Sequence, residues 1–139
     1  MPYVVWCDMF SINMPYIDNQ HKKLLDIAND FHKAVYENKG GESLFKILNA
    51  LIKYADQHFR DEEKVMEAAD YPHDKTVEHK KIHEQLIMDI FRLQQECNQS
   101  AEKTIYELEL FLNSWLINHI LTTDKQLAPY CKNIQELQF

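Results

Sequence analysis

The chain of 139 residues sets 22 Asp+Glu against 15 Lys+Arg, a formal net charge of −7. That is the length of one domain, expected over 1–139, and the acidic balance argues against DNA or RNA as the main partner, because phosphate binding needs a basic face. Two Gly in the whole chain, against a usual share of about 7%, argue against a turn-rich all-β fold and for few, long elements.

Residues 1–8 carry no basic stretch followed by an apolar core, so no signal peptide is expected. No run approaches the ~18 apolar residues of a membrane span. Cys7, Cys97 and Cys131 are odd in number and form no C-x-x-C pair, which argues against a disulfide framework or a thiolate zinc site. Reduced thiols fit a cytoplasmic protein.

An irregular N-terminal arm, with Trp6 and Pro15, leads to a first predicted helix over about 18–38, with Asp18 as N-cap. Its apolar stripe is Leu24, Leu25, Ala28, Phe31 and Val35, and His21 begins that stripe. Gly40-Gly41 reads as a break. The second helix, about 42–69, carries Leu44, Leu48, Leu51 and Ala55, and the same stripe runs on through His58 and Glu62. Asp70-Tyr71-Pro72 interrupts it. The third, about 74–97 with Asp74 as N-cap, places His79 and His83 around Ile82, ahead of Leu86, Ile90 and Leu93. The fourth, about 100–121 with Ser100 as N-cap, has Ile105, Leu108, Leu112 and Trp115, and then His119. A short fifth helix or capping tail follows. Four amphipathic helices with short links predict an all-α, up-down-up-down four-helix bundle.

Five of the seven His therefore point into the core, and every helix supplies at least one. Buried imidazoles in such number are costly without a common partner. His58/Glu62 and His79/His83 are i, i+4 pairs that stack on one helix face. Asp124 follows His119 by five residues, so it is expected to reach the same place from a helix end. In an antiparallel bundle all of these fall at one level, toward one end. A nitrogen- and oxygen-rich set without thiolate suits iron or manganese better than zinc. Asp18 reads as a cap or a support for the site. His32, three turns from His21, reads as structural, His73 as an exposed loop residue, and Glu63 as solvated or ion-paired.

These residues resemble the hemerythrin family, in its single-domain bacterial form. The matching stretches are Trp6, Ile17-Asp18-Asn19-Gln20-His21-Lys22-Lys23-Leu24, His58-Phe59-Arg60-Asp61-Glu62-Glu63 and Tyr71-Pro72. They continue with His79-Lys80-Lys81-Ile82-His83 and Trp115-Leu116-Ile117-Asn118-His119-Ile120 with Asp124. The resemblance implies two iron ions bridged by oxide or hydroxide, Glu62 and Asp124. One ion would be held by His79, His83 and His119, the other by His21 and His58. It further implies reversible dioxygen binding (carriage, storage or delivery) rather than enzyme catalysis, in a dry pocket resembling Leu24, Phe59, Trp115, Leu116 and Ile120. The alternatives on the same site are a sensor of oxygen, nitric oxide or iron, and an oxidoreductase acting on peroxide or nitric oxide. Dioxygen is the expected partner, and the protein that would take the oxygen on is left open.

Overall fold

The computed structural model describes residues 4–132, 134, 137 and 139, apart from the side chain of Glu42. Four rods make the bundle. α1 is Pro15–Tyr36, α2 is Gly40–Ala68 and α3 is His73–Glu96. The fourth rod begins as α4, Ala101–Phe111, passes through a π-helical stretch, Leu112–Ile117, and ends as α5, Asn118–Thr122. A 3-10 turn, Asp124–Leu127, leads to the short α6, Ala128–Cys131. α1 packs on α2, α2 on α3, and α3 and α2 on α4. The result is an all-helical four-helix bundle with an N-terminal arm and a short C-terminal helix. The expected tail is described past Lys132 only at Ile134, Leu137 and Phe139.

The helix ends explain how the chain manages with so little glycine. α1 closes with Asn38 at φ 60°, with Lys39 N–H donating to the Ala34 carbonyl at 2.6 Å and Asn38 N–H to Val35 at 3.1 Å. α2 closes the same way. Asp70 sits at φ 54°, Tyr71 N–H donates to Met66 at 3.0 Å and Asp70 N–H to Glu67 at 3.2 Å. Both are left-handed C-terminal caps with paired backbone bonds, a place where Asn and Asp tolerate the conformation better than most residues. Gly40-Gly41 is therefore not the break. It opens α2, and a Cβ on Gly40 would lie 3.1 Å from Val35 Cγ2 and 3.2 Å from Ile105 Cδ1, so the missing side chain lets the rods approach.

Two of the three expected N-caps are displaced. Met14 precedes α1, with Pro15 in its first turn, and Pro72 precedes α3. Only Ser100 caps as expected, accepting from Lys103 N–H at 3.4 Å. Asp18 instead holds the arm, accepting from Ser11 Oγ at 2.6 Å and from the Ile12 N–H at 2.9 Å. Further out, Asn29 exchanges two hydrogen bonds with the Val4 backbone, 2.8 and 2.7 Å, and Lys22 lies 5.0 Å over the Trp6 ring.

The core comes in two parts. The larger runs from Leu44 and Leu108 up to Leu24, Phe59, Leu86, Leu116 and Ile120. The smaller joins Ile12, Met14, Ile17, Val65, Met66, Tyr71, Leu127, Ala128 and Cys131. His21, Glu62 and Asp124 lie between them in every rod that reaches both: Ile17–His21–Leu24, Phe59–Glu62–Val65 and Ile120–Asp124–Leu127. The polar layer is thus roofed as well as floored. It is not merely at one end of the bundle, because the arm and α6 seal the side that the Leu/Ile packing leaves open. Burial in that roof pushes the Cys131 thiol up to about 12.

Candidate metal centre

All seven residues singled out as candidate ligands meet in that layer. They are buried to between 0% and 7% exposure. One ligand atom from each of Glu62, His79, His83, His119 and Asp124 falls in a group whose members lie within 4.8 Å of one another. A second such group joins His21, His58, Glu62 and Asp124. The two carboxylates belong to both. Glu62 Oε1 is 2.9 Å from His79 Nε2 and 3.2 Å from His83 Nε2. Its Oε2 is 3.3 Å from His58 Nε2 and 3.4 Å from His21 Nε2. Asp124 Oδ1 is 3.0 Å from His79 Nε2 and 2.9 Å from His119 Nε2, and its Oδ2 is 3.1 Å from His21 Nε2. Asp124 does reach in from a helix end, as the first residue of the 3-10 turn after α5.

These short distances are not a finished hydrogen-bond network. Both Glu62 oxygens, Asp124 Oδ2, His83 Nε2 and His119 Nε2 are buried and make no hydrogen bond. Atoms this close, yet out of line for a hydrogen bond, converge on a common point instead of on each other. That is the arrangement of donors around a cation, and it fits a pair of N/O-ligated ions.

The electrostatics agree. Burial works to lower the His21 and His79 pKa values, but the close carboxylates of Asp124 and Glu62 win, holding them up at about 9 and about 10. For His58 burial wins, and it is pushed down. Burial would raise both carboxyls, yet the surrounding imidazoles keep Glu62 and Asp124 well below the ordinary carboxylate range. Opposed shifts among buried, clustered groups are typical of functional sites.

The outward ring nitrogens are held unequally. His58 Nδ1 is 2.9 Å from Gln20 Oε1. Gln20 in turn donates to the buried Asp61 at 2.7 Å. His83 Nδ1 faces Glu63 Oε2 at 3.8 Å, so Glu63 belongs to the site's surroundings. His21 Nδ1 has no hydrogen bond. Gln20 and Asp61 are not singled out by the sequence pattern. The available signal was position: Gln20 adjoins His21, and Asp61 is one turn past His58 on the same helix. His32 is 43% exposed, with Nδ1 3.9 Å from Glu109 Oε1, and His73 is exposed at the first turn of α3. Neither joins the cluster.

Phe59 stacks on His83 with ring centroids 4.0 Å apart and meets Trp115 edge-on at 6.0 Å. Leu24, Leu116 and Ile120 are 1% exposed and belong to the same apolar cluster as Phe59 and Trp115. The Trp115 Nε1 is buried without a hydrogen bond.

Residues 14–131 match the family described as the hemerythrin HHE cation binding domain. The chain belongs to the hemerythrin family. It is 34% identical over 124 residues to the bacteriohemerythrin of Pseudomonas aeruginosa (strain UCBPP-PA14), covering 89% of this chain and 78% of that one. It is 31% identical over 120 residues to the bacteriohemerythrin of Methylococcus capsulatus (strain Bath), with 86% and 89% covered. A crystal structure of a leucine-to-alanine mutant of hemerythrin superposes with a TM-score of 0.77 at 28% identity, covering 94% of this chain and 98% of that one. Like the matched hemerythrin family, the chain presents a buried His/Glu/Asp cluster able to bind metal. No helix among its described residues is long and apolar enough to cross a membrane.

Proposed function

We propose that this hemerythrin binds dioxygen reversibly at a di-iron centre. The reading rests on one observation above all: two donor groups, three His in one and two in the other, share Glu62 and Asp124. Five neutral imidazoles and two carboxylates would hold a pair of octahedral ions and, with a hydroxide shared between them, would leave one position for a small molecule. That position would fall on the side of His21 and His58, which has one nitrogen fewer. When bound, the iron pair supplies the two electrons that dioxygen takes up and returns.

The protein's own residues do the rest. Glu62 and Asp124 offer one oxygen to each donor group, which fixes the separation of the two positions. His79, His83 and His119 fill one side, and Phe59 holds the His83 ring flat against its own face. Leu24, Phe59, Trp115, Leu116 and Ile120 form the adjoining apolar wall, which excludes water and stray protons. The second apolar layer closes the other side. With only two carboxylates, the site carries less negative charge than a carboxylate-rich centre would. That favours binding over oxidation, so no enzymatic turnover is assigned.

The test is to load ferrous iron without oxygen, admit oxygen, record visible and resonance Raman spectra, and then degas. A band that appears with oxygen, shifts with heavy oxygen and vanishes on degassing supports the proposal. Irreversible oxidation in one exposure, or steady oxygen consumption with a reductant, overturns it.

A further inference from the structure

We infer that Asp61 is a positioning residue. Acting through the Gln20 amide, it sets which nitrogen of His58 carries the proton. Asp61 is 1% exposed, and three donors converge on it. Gln20 Nε2 reaches Oδ2 at 2.7 Å, Tyr16 Oη reaches Oδ2 at 3.2 Å, and Gln57 Nε2 reaches Oδ1 at 3.0 Å. Among the described residues nothing accepts from Asp61, the pattern of a carboxylate, which only accepts.

The consequence runs inward one group at a time. Gln20 must turn its NH₂ toward Asp61, so its carbonyl oxygen faces His58 Nδ1 at 2.9 Å. A carbonyl also only accepts, so Nδ1 must hold the ring proton. The His58 Nε2 is then left with its lone pair, and this is the atom 3.3 Å from Glu62 and 3.1 Å from His21 Nε2. An amide is symmetric in shape and could lie either way. The buried carboxylate removes that ambiguity. Without it, Gln20 could present its NH₂ to His58, and the His58 proton would move to Nε2, toward the Glu62 carboxylate. His21 has no such relay, because its Nδ1 has no hydrogen bond. The two-His side is therefore oriented through one relay, on His58.

Asp61 also ties α1 to α2 through Tyr16 and Gln20, so the test must separate a tie from a relay. The metal-free protein, labelled with ¹⁵N-histidine, is examined by long-range nitrogen–proton correlation, which reads the tautomer directly. The expected result is His58 as the Nδ1–H form. Asp61→Leu should shift His58 toward the Nε2–H form. Gln20→Leu, a milder change at a half-buried position, should do the same if Asp61→Leu does not fold. The pair Asp61→Leu with Gln20→Glu should restore Nδ1–H, because a carboxylate then faces Nδ1 directly. A tie alone would change stability in these variants and leave the tautomer where it was. An Nε2–H His58 in the unaltered chain, or Nδ1–H kept in both leucine variants, overturns the inference.

A second arm rests on the two-metal reading. Cobalt(II) titration should show the two-His position of Asp61→Leu weakened about 10–100-fold, with the three-His position unchanged. Equal weakening at both positions overturns the selective role. Because the tautomer is read without metal, its failure counts against the relay alone. A protein with the expected tautomer that took up no metal would count against the proposed function instead.

Discussion

The two halves of the centre are built by different means. On the three-His side, His79 and His83 are one turn apart on α3 and stack on one face, so helix periodicity alone brings them together. Phe59 then braces His83 by ring stacking. On the two-His side, His21 comes from α1 and His58 from α2, and no local rule joins them. Their meeting depends on how the two rods pack, and their orientation on Gln20 and Asp61 between those rods. Two of the three imidazoles of one half are set by secondary structure, whereas the other half depends on tertiary contacts throughout, so they should fail differently.

The largest effect should come from a residue common to both halves. Glu62→Ala removes the carboxylate that faces four imidazoles, and breaking a buried pair from one side costs about 3–5 kcal/mol. Urea titration should show that loss in the metal-free protein, and metal analysis should find both ions gone. A variant that kept two metals would sink the shared-carboxylate assignment. Next come the halves separately. His58→Ala should leave one metal per chain on the three-His side, whereas His119→Ala should spare the two-His side. If both variants lost metal identically, the centre would be a single cooperative unit and the contrast between halves would fall.

The pH response of the metal-free protein sharpens the comparison, since raised His lie in both halves, His21 in one and His79 and His83 in the other. His21 at about 9 and His79 at about 10 lie above their ordinary value of 6.5. Their contribution is full below about 6.5 and is lost as pH rises through 9 to 10. Glu62 and Asp124 are depressed, so their contribution is present above their ordinary values and lost as pH falls below them. Thermal midpoints measured with chelator present should peak between about 5 and 6.5 and decline toward pH 10. A flat profile across that alkaline range would refute the pairing. The smallest change is remote from both halves. Asp18→Ala should cost about 1 kcal/mol by releasing Ser11 and Ile12, seen in chemical denaturation, with metal content unaltered.

Much of this was readable in the chain itself, because a His on an apolar stripe is conspicuous. Leu44–Leu48–Leu51–Ala55 runs straight into His58 and Glu62, and periodicity needs no tertiary knowledge to place them. Asp61 and Gln20 were hidden for the opposite reason. They lie on the flank of their helices, where a polar residue looks solvated unless the neighbouring rod is known to cover it. Gly40-Gly41 misled because glycine more often ends a helix than starts one, and here Asn38 had already done the ending. The second apolar layer was hidden too, since its members come from the arm, the start of α1, the far end of α2 with Tyr71 beyond it, and the 3-10 turn with α6, segments with no shared period.

The π-helical stretch in the fourth rod solves a problem of phase. Leu108, Leu112, Leu116, Ile120 and Asp124 are all buried and recur every fourth residue. In an unbroken α-helix, each such step overshoots a full turn by about 40°, and Asp124 would end about 160° away from the face Leu108 began. A wider turn, with its i→i+5 bonds, winds that excess back. The stretch Leu112–Ile117 thus acts as a vernier that keeps a four-residue rhythm locked to the core. Deleting a single residue from it would swing His119 and Asp124 by about 100°, turning both away from the ions they would hold without changing either one.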